Sequence, residues 1–221
     1  MELHTTHTSP FGLMARIMIL EKGLQDRISV LTAKTRAIDS PYYQVNPSGR
    51  VPYLILDDGT GFEESQVICA YLDHLDGHPR FDHPVGRNGW ISRRLESLAR
   101  SMLDGISVWS RELVRAPNER SPTIIAHEIA RAKRMTETWE ENVRNPLMNG
   151  DFNMAQLTLA VTLNIEHRME GFEFRGTHPI LTAWANRLAE RPSLKELLLH
   201  LAGEATEGHP AASTAARASV S

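Results

Sequence analysis

The hydrophobic pattern of this chain changes near residue 76, and that change limits the fold more than any other feature. Before it, short strand-like and helical segments alternate. After it, apolar residues recur almost entirely at steps of three and four. The two patterns bury their apolar faces differently, so they point to an α/β unit followed by an all-helical one. The chain has 221 residues, enough for two small domains with a core that needs no disulfide.

The first part reads as follows. Residues 1–8 form a weak first strand. Pro10 to Lys22 reads as a helix ended by Gly23. Ile28 to Leu31 is a short strand, and residues 34–50 are irregular. Val51 to Leu56 is a strand that ends in the turn signal Asp57-Asp58-Gly59. A brief return strand follows, and Ser65 to Leu75 has helical spacing. The residues thus give the order β-α-β, an irregular stretch, then β-β-α.

Gly77, Pro79, Pro84, Gly86 and Gly89 mark a linker over residues 78–89, after a first domain of residues 1–77. Residues 90–202 then make the helical domain. Ile91, Leu95, Leu98, Met102, Ile106, Trp109 and Leu113 trace one long amphipathic helix, and Ile125 to Val143 a second. Met154 to Ile165 is apolar on more than one side and belongs at the bundle centre. Ile180–Leu188 and Leu194–Leu201 give two shorter helices. Residues 203–221, rich in Ala, Ser, Thr and Gly, read as a disordered tail.

Composition narrows the function. Lys and Arg total 24 against 27 for Asp and Glu, a balance that argues against a nucleic-acid surface. Cys69 is the single cysteine, which excludes an intrachain disulfide and a Cys-rich metal site. The start of the chain lacks a signal-peptide pattern, and no apolar run reaches membrane-spanning length. A cytoplasmic protein with no membrane partner is expected.

Three short motifs carry chemistry. Ser9-Pro10 places a serine just before a helix and a proline at its first position. Ser9 reads as a plain N-cap, or as a hydroxyl presented to a thiolate where the helix dipole is positive. Lowering a thiol pKa from about 8.5 to about 6.5 would raise its ionised fraction at neutral pH from a few per cent to about three quarters. Val51-Pro52 reads as an ordinary edge-strand start, or as a cis bond that turns the Val51 backbone outward to pair with an extended peptide. Glu64-Ser65 reads as another helix cap, or as an anion site with an acceptor beside it for an ammonium. The last pairing suits the amino-acid end of a γ-glutamyl group.

With these residues in view, the N-terminal third resembles the glutathione-binding domain of the cytosolic glutathione S-transferases. Ser9-Pro10-Phe11-Gly12 looks like the serine motif of tau-like and related bacterial members. Asn46-Pro47-Ser48-Gly49-Arg50-Val51-Pro52 looks like the loop and cis-proline segment, and Glu64 to Leu72 like the γ-glutamyl site and its helix. Arg191-Pro192-Ser193 also resembles bacterial members. The resemblance implies an α/β thioredoxin-like N-terminal domain of order β-α-β-α-β-β-α and an all-α C-terminal domain. It implies glutathione as co-substrate, no metal, and a homodimer. Ser9 would activate the glutathione thiol for attack on a small hydrophobic electrophile. Phe11, Arg50, Val51, Pro52, Glu64 and Ser65 would bind glutathione, with Lys34 or Arg36 assisting Arg50. Met102 and Trp109 are candidates for an acceptor pocket, although their spacing also suits the core. Asp104 is a candidate to reach a partner subunit's ligand. The family's central helix opens with Ser or Thr and then Asp, where this chain has Asn153 and Gln156, a pair able to form a reciprocal capping box.

Other residues carry less. Cys69 lies on an apolar helix face and reads as a buried structural thiol. His4, His7, His74, His78 and His83 read as solvated or locally bonded rather than as metal ligands. Two further function classes stand beside the transferase. One is a non-catalytic ligand carrier or partner-binding regulator on the same fold, and the other a glutathione-dependent isomerase or lyase.

Overall fold

The computed structural model describes residues 1–81 and 86–195. The expected tail of residues 203–221 and the end of the expected helix Leu194–Leu201 lie outside them, as do His83 and Pro84. The first part contains β1 (Glu2–Thr5), α1 (Pro10–Glu21), β2 (Ser29–Thr32), α2 (Tyr42–Val45), β3 (Tyr53–Ile55), β4 (Gly61–Glu63) and α3 (Ser65–His74). The second part contains α4 (Arg87–Leu113), α5 (Pro122–Asn142), α6 (Met154–Leu163) and α7 (Pro179–Ala189), joined by short 3-10 turns. This is a thioredoxin-like α/β domain followed by an all-helical one.

The sheet order is β2-β1-β3-β4. β1 pairs parallel with β2 and antiparallel with β3, and β3 pairs antiparallel with β4. Leu3 and Leu54 sit opposite each other and are fully buried, which fixes the register at the sheet centre. α2 falls within the stretch read as irregular. Its four residues are too few to show a hydrophobic period.

α1 packs against α3 on one side and α6 on the other. It is therefore buried almost all round, from Gly12 to Ala15 and from Ile17 to Ile19. Gly23, at φ +63°, ends it in the left-handed conformation that glycine tolerates best. In α6 every one of the ten residues is buried, so it is the central helix of the helical part. Asn153 caps α6, accepting from the Ala155 and Gln156 amides at 3.0 and 3.1 Å. The expected reciprocal bond is absent among the described residues. The Gln156 amide instead donates to the carbonyls of Leu147 and Gly150 in the preceding loop. α4 begins at Arg87, inside the expected linker, after Gly86 at φ +76°.

Two polar clusters hold the end of α1, one to the segment after α3 and the other to the helical part. Lys22, at the end of α1, has a fully buried side chain whose ammonium donates to Asp76 (2.9 Å) and to the His78 carbonyl (2.8 Å). It also lies 3.3 Å from Asp73, which accepts from the amides of Arg80 and Phe81. Glu21 receives Arg191 through two bonds of 2.6 and 2.7 Å, and Ser193 as well. Among the described residues, no helix is long and apolar enough to cross a membrane.

Removing one member of a buried charged cluster strands its partners, typically at about 3–5 kcal/mol. Lys22→Met should therefore lower unfolding free energy by about that amount. Denaturant titration with an unchanged slope would show it, and a loss near zero would contradict the assignment of Lys22 as a structural tie.

Candidate functional site

The three motifs meet because of one row of residues across the sheet. His4 of β1 sits opposite Tyr53 of β3, and Tyr53 sits opposite Glu63 of β4. The chain leaves β1 toward Ser9, enters β3 from Val51-Pro52, and leaves β4 into Glu64-Ser65. All three segments thus emerge at one end of the sheet. Phe11, Arg50, Val51, Pro52, Glu63, Glu64 and Ser65 line a single small cleft there.

Ser9 is the N-cap of α1, with extended backbone (φ −70°, ψ 116°), and its Oγ accepts from the Gly12 amide at 3.1 Å. That bond uses a lone pair, so the Ser9 O–H proton is not consumed by capping. Capping and donation to another group are therefore compatible at this residue. Ser9 itself is half-buried and does not line the cleft, whereas Phe11 does. Gly12 is required by close approach: a Cβ there would fall on the Thr5 hydroxyl at the end of β1. The first turn of α1 is seated directly on the strand.

The Val51–Pro52 peptide bond is cis. Among the described residues, neither the N–H nor the C=O of Val51 takes part in a hydrogen bond. The segment before it is held by a polar network. Tyr42 Oη and Asn46 Nδ2 donate to the Arg50 carbonyl at 2.5 and 3.0 Å. Asn46 also donates to Glu63 (3.1 Å), as does the Ser48 hydroxyl (2.6 Å). These two bonds, with the nearby Arg50 charge, hold the Glu63 carboxyl below its usual range. Gly49 adopts φ +66° and packs so closely on the Tyr43 ring that a side chain would not fit.

Glu64 has φ +67° and ψ 127°, a conformation that a residue with a side chain adopts at a cost of order 1–3 kcal/mol. It precedes α3, whose first residue, Ser65, is almost sealed from solvent. The amides at the start of α3 and its dipole favour an anion in the cleft. Ser65 Oγ accepts from Arg100 Nη1 of α4 at 3.1 Å, and Arg100 Nε donates to Glu96 at 2.8 Å.

Sequence reasoning missed Glu63, Tyr42 and Arg100. An acidic residue next to Glu64 was a visible signal for Glu63. Asn46 and Ser48 stand in the recognised loop, but their shared partner was not legible there. Lys34 and Arg36 are exposed and do not line the cleft. Asp104 is exposed on α4. Met102 and Trp109, expected at an acceptor pocket, are 1% and 3% exposed and belong to the core. The stripe they share with Leu95, Ala99 and Ile106 is the buried face of α4. Trp109 also packs against Gly171. Among the described residues, no group of three or more His, Cys, Asp or Glu side chains is placed to hold a metal.

A larger cavity of about 350 Å³ lies elsewhere, near Met148, Phe152, Gln156 and Arg187. Arginines at its wall are already paired. Arg187 donates to Asn149 at 2.7 Å, and Arg191 is committed to Glu21. The small cleft, with an unpaired backbone edge and a helix start, is the better candidate for binding chemistry.

The comparisons with known proteins agree with the geometry. Residues 8–75 match the glutathione S-transferase N-terminal domain family. Glutathione S-transferase 2 of Saccharomyces cerevisiae is 26% identical over 212 residues, covering 90% of this chain and 89% of its own. Glutathione S-transferase GstA of Escherichia coli O157:H7 is 28% identical over 198 residues, covering 85% and 92%. A glutathione transferase family member from Pseudomonas fluorescens Pf-5, solved with bound glutathione, superposes with a TM-score of 0.80. It is 26% identical, with 89% of this chain and 97% of that one covered.

Burial pushes the Cys69 thiol up to about 12. It should therefore resist alkylation by iodoacetamide at neutral pH in the folded protein and react promptly in denaturant. Rapid labelling of the native state, followed by mass spectrometry, would contradict a purely structural role.

Proposed function

We propose that this chain, whose residues 8–75 match the glutathione S-transferase N-terminal domain family, is a glutathione transferase whose thiol activator is Ser9. The observation that carries this reading is the convergence of an α1 N-terminus, a free Val51 backbone edge and the Glu64-Ser65 helix start on one cleft. Those features suit an extended γ-glutamyl tripeptide from end to end. Val51 pairs with the cysteinyl backbone as one further strand would. Ser65 and the start of α3 take the γ-glutamyl carboxylate, and the exposed Glu64 carboxylate takes its ammonium. Arg50 stands at the glycine end, Phe11 at the wall, and Pro52 gives the edge its shape.

The chemistry that follows is thiol ionisation and placement. The Ser9 O–H, left over from capping, donates to the sulfur, and the α1 dipole favours its negative charge. The thiol proton passes to solvent. A sulfur lone pair forms the new C–S bond at an electrophilic carbon, and the leaving group departs with the bonding pair. The acceptor is a small hydrophobic electrophile, and a homodimer is part of the same reading.

Ser9→Ala should cut turnover about 25-fold at pH 7, the change in thiolate fraction between pKa values of about 6.5 and 8.5. Glutathione affinity should stay within a few-fold. Losing the cap costs about 1 kcal/mol of stability, so Ser9→Asp serves as a companion variant. Aspartate caps the helix but cannot donate to sulfur, and its charge opposes a thiolate. It should keep the thermal midpoint and lose at least as much turnover. Unchanged turnover of an aromatic halide in either variant would remove Ser9 from the mechanism.

A further inference from the structure

The carboxylate end of the cleft is built partly from the helical domain. Arg100 of α4 reaches across to α3, and its Nη1 donates to Ser65 Oγ at 3.1 Å. A guanidinium can only donate, and a serine oxygen has one proton and two lone pairs. The contact therefore occupies a lone pair and turns the Ser65 proton away from Arg100. Ser65 lines the cleft, so its O–H is left to donate to an anion there.

The guanidinium is itself fixed. Its side chain is 17% exposed, and Nε is bound to Glu96, whose side chain is 3% exposed. Its Nη2 is buried and has no hydrogen-bond partner among the described residues. The positive end of this pair is the one that faces α3. A partly dehydrated cation thus stands behind a serine at a helix start, where positive potential already gathers.

We infer that Arg100 is a positioning residue for the carboxylate subsite: it orients the Ser65 hydroxyl and adds positive charge behind it. This rests on the glutathione reading. It also means that the α/β domain does not make its anion site alone, because the docking of α4 completes it.

The test uses the full-length protein, calorimetry, and two peptides. One is glutathione. The other is 4-aminobutyryl-cysteinylglycine, which lacks only the γ-glutamyl carboxylate. Arg100→Met should weaken glutathione roughly 10-fold or more and the second peptide by less than about 3-fold. Arg100→Lys, which keeps the charge without the fork, should recover part of the loss on glutathione. In turnover, KM for glutathione should rise while kcat at saturation stays within a few-fold. Equal losses on both peptides, or none on glutathione, would overturn the inference. If circular dichroism shows that Arg100→Met is unfolded, Arg100→Lys decides alone: a loss confined to glutathione supports the inference, and equal behaviour of the two peptides sinks it. A wild-type protein that binds neither peptide would instead overturn the glutathione reading, and this inference with it.

Discussion

The cleft depends on the register of a single cross-strand row, His4–Tyr53–Glu63. Three segments far apart in the chain turn away from the sheet just beyond that row. Leu3 and Leu54, buried one position along, lock it. A slip of β3 by one residue would turn Leu54 to the opposite face and carry Val51 away from Ser9 and Ser65. The binding geometry therefore follows from ordinary core packing. Glu64, with its positive φ, and Gly12, with its contact on Thr5, are among the local departures from regular strand and helix geometry. Gly12 sits where a helix seats closely on a strand, and Glu64 where β4 passes into α3.

The helical part does more than cover the sheet. α1 is buried between α3 and α6, and the Lys22 and Glu21 clusters fix its far end. Its N-terminal end is thereby held at the cleft, so the Ser9 cap has a stable direction. Arg100 adds a second link at the opposite side of the cleft. The cleft is thus backed by two domains in contact, although every residue that lines it comes from the first.

Much of this was legible in the sequence, for identifiable reasons. Ser9-Pro10 and Gly23 bracket α1 because caps and breakers act locally. Val51 to Leu56 reads as an apolar run before Asp57-Asp58-Gly59, and β3 occupies Tyr53–Ile55 within it. The all-round apolar pattern of α6 gave its central place. What was hidden depends on contacts between distant residues. Arg100 lies on an amphipathic helix that carries several exposed charges, and nothing near it in sequence marks Ser65 as its partner. Glu63 looks like a polar strand end until Asn46 and Ser48 are folded beside it. Met102 and Trp109 lie in the core, the second of their two readings, because helical spacing shows which stripe is apolar but not what that stripe faces. Asn153 and Gln156 show the same limit: the cap formed, but the glutamine found a better acceptor in the preceding loop.

Sulfur ionisation at the start of α1 is read most directly by a pH titration of thiolate absorbance in the complex with glutathione. A bound thiol whose pKa lies about two units below the free value of about 8.5 is the expected result. A bound thiol that titrates at its free value would contradict it.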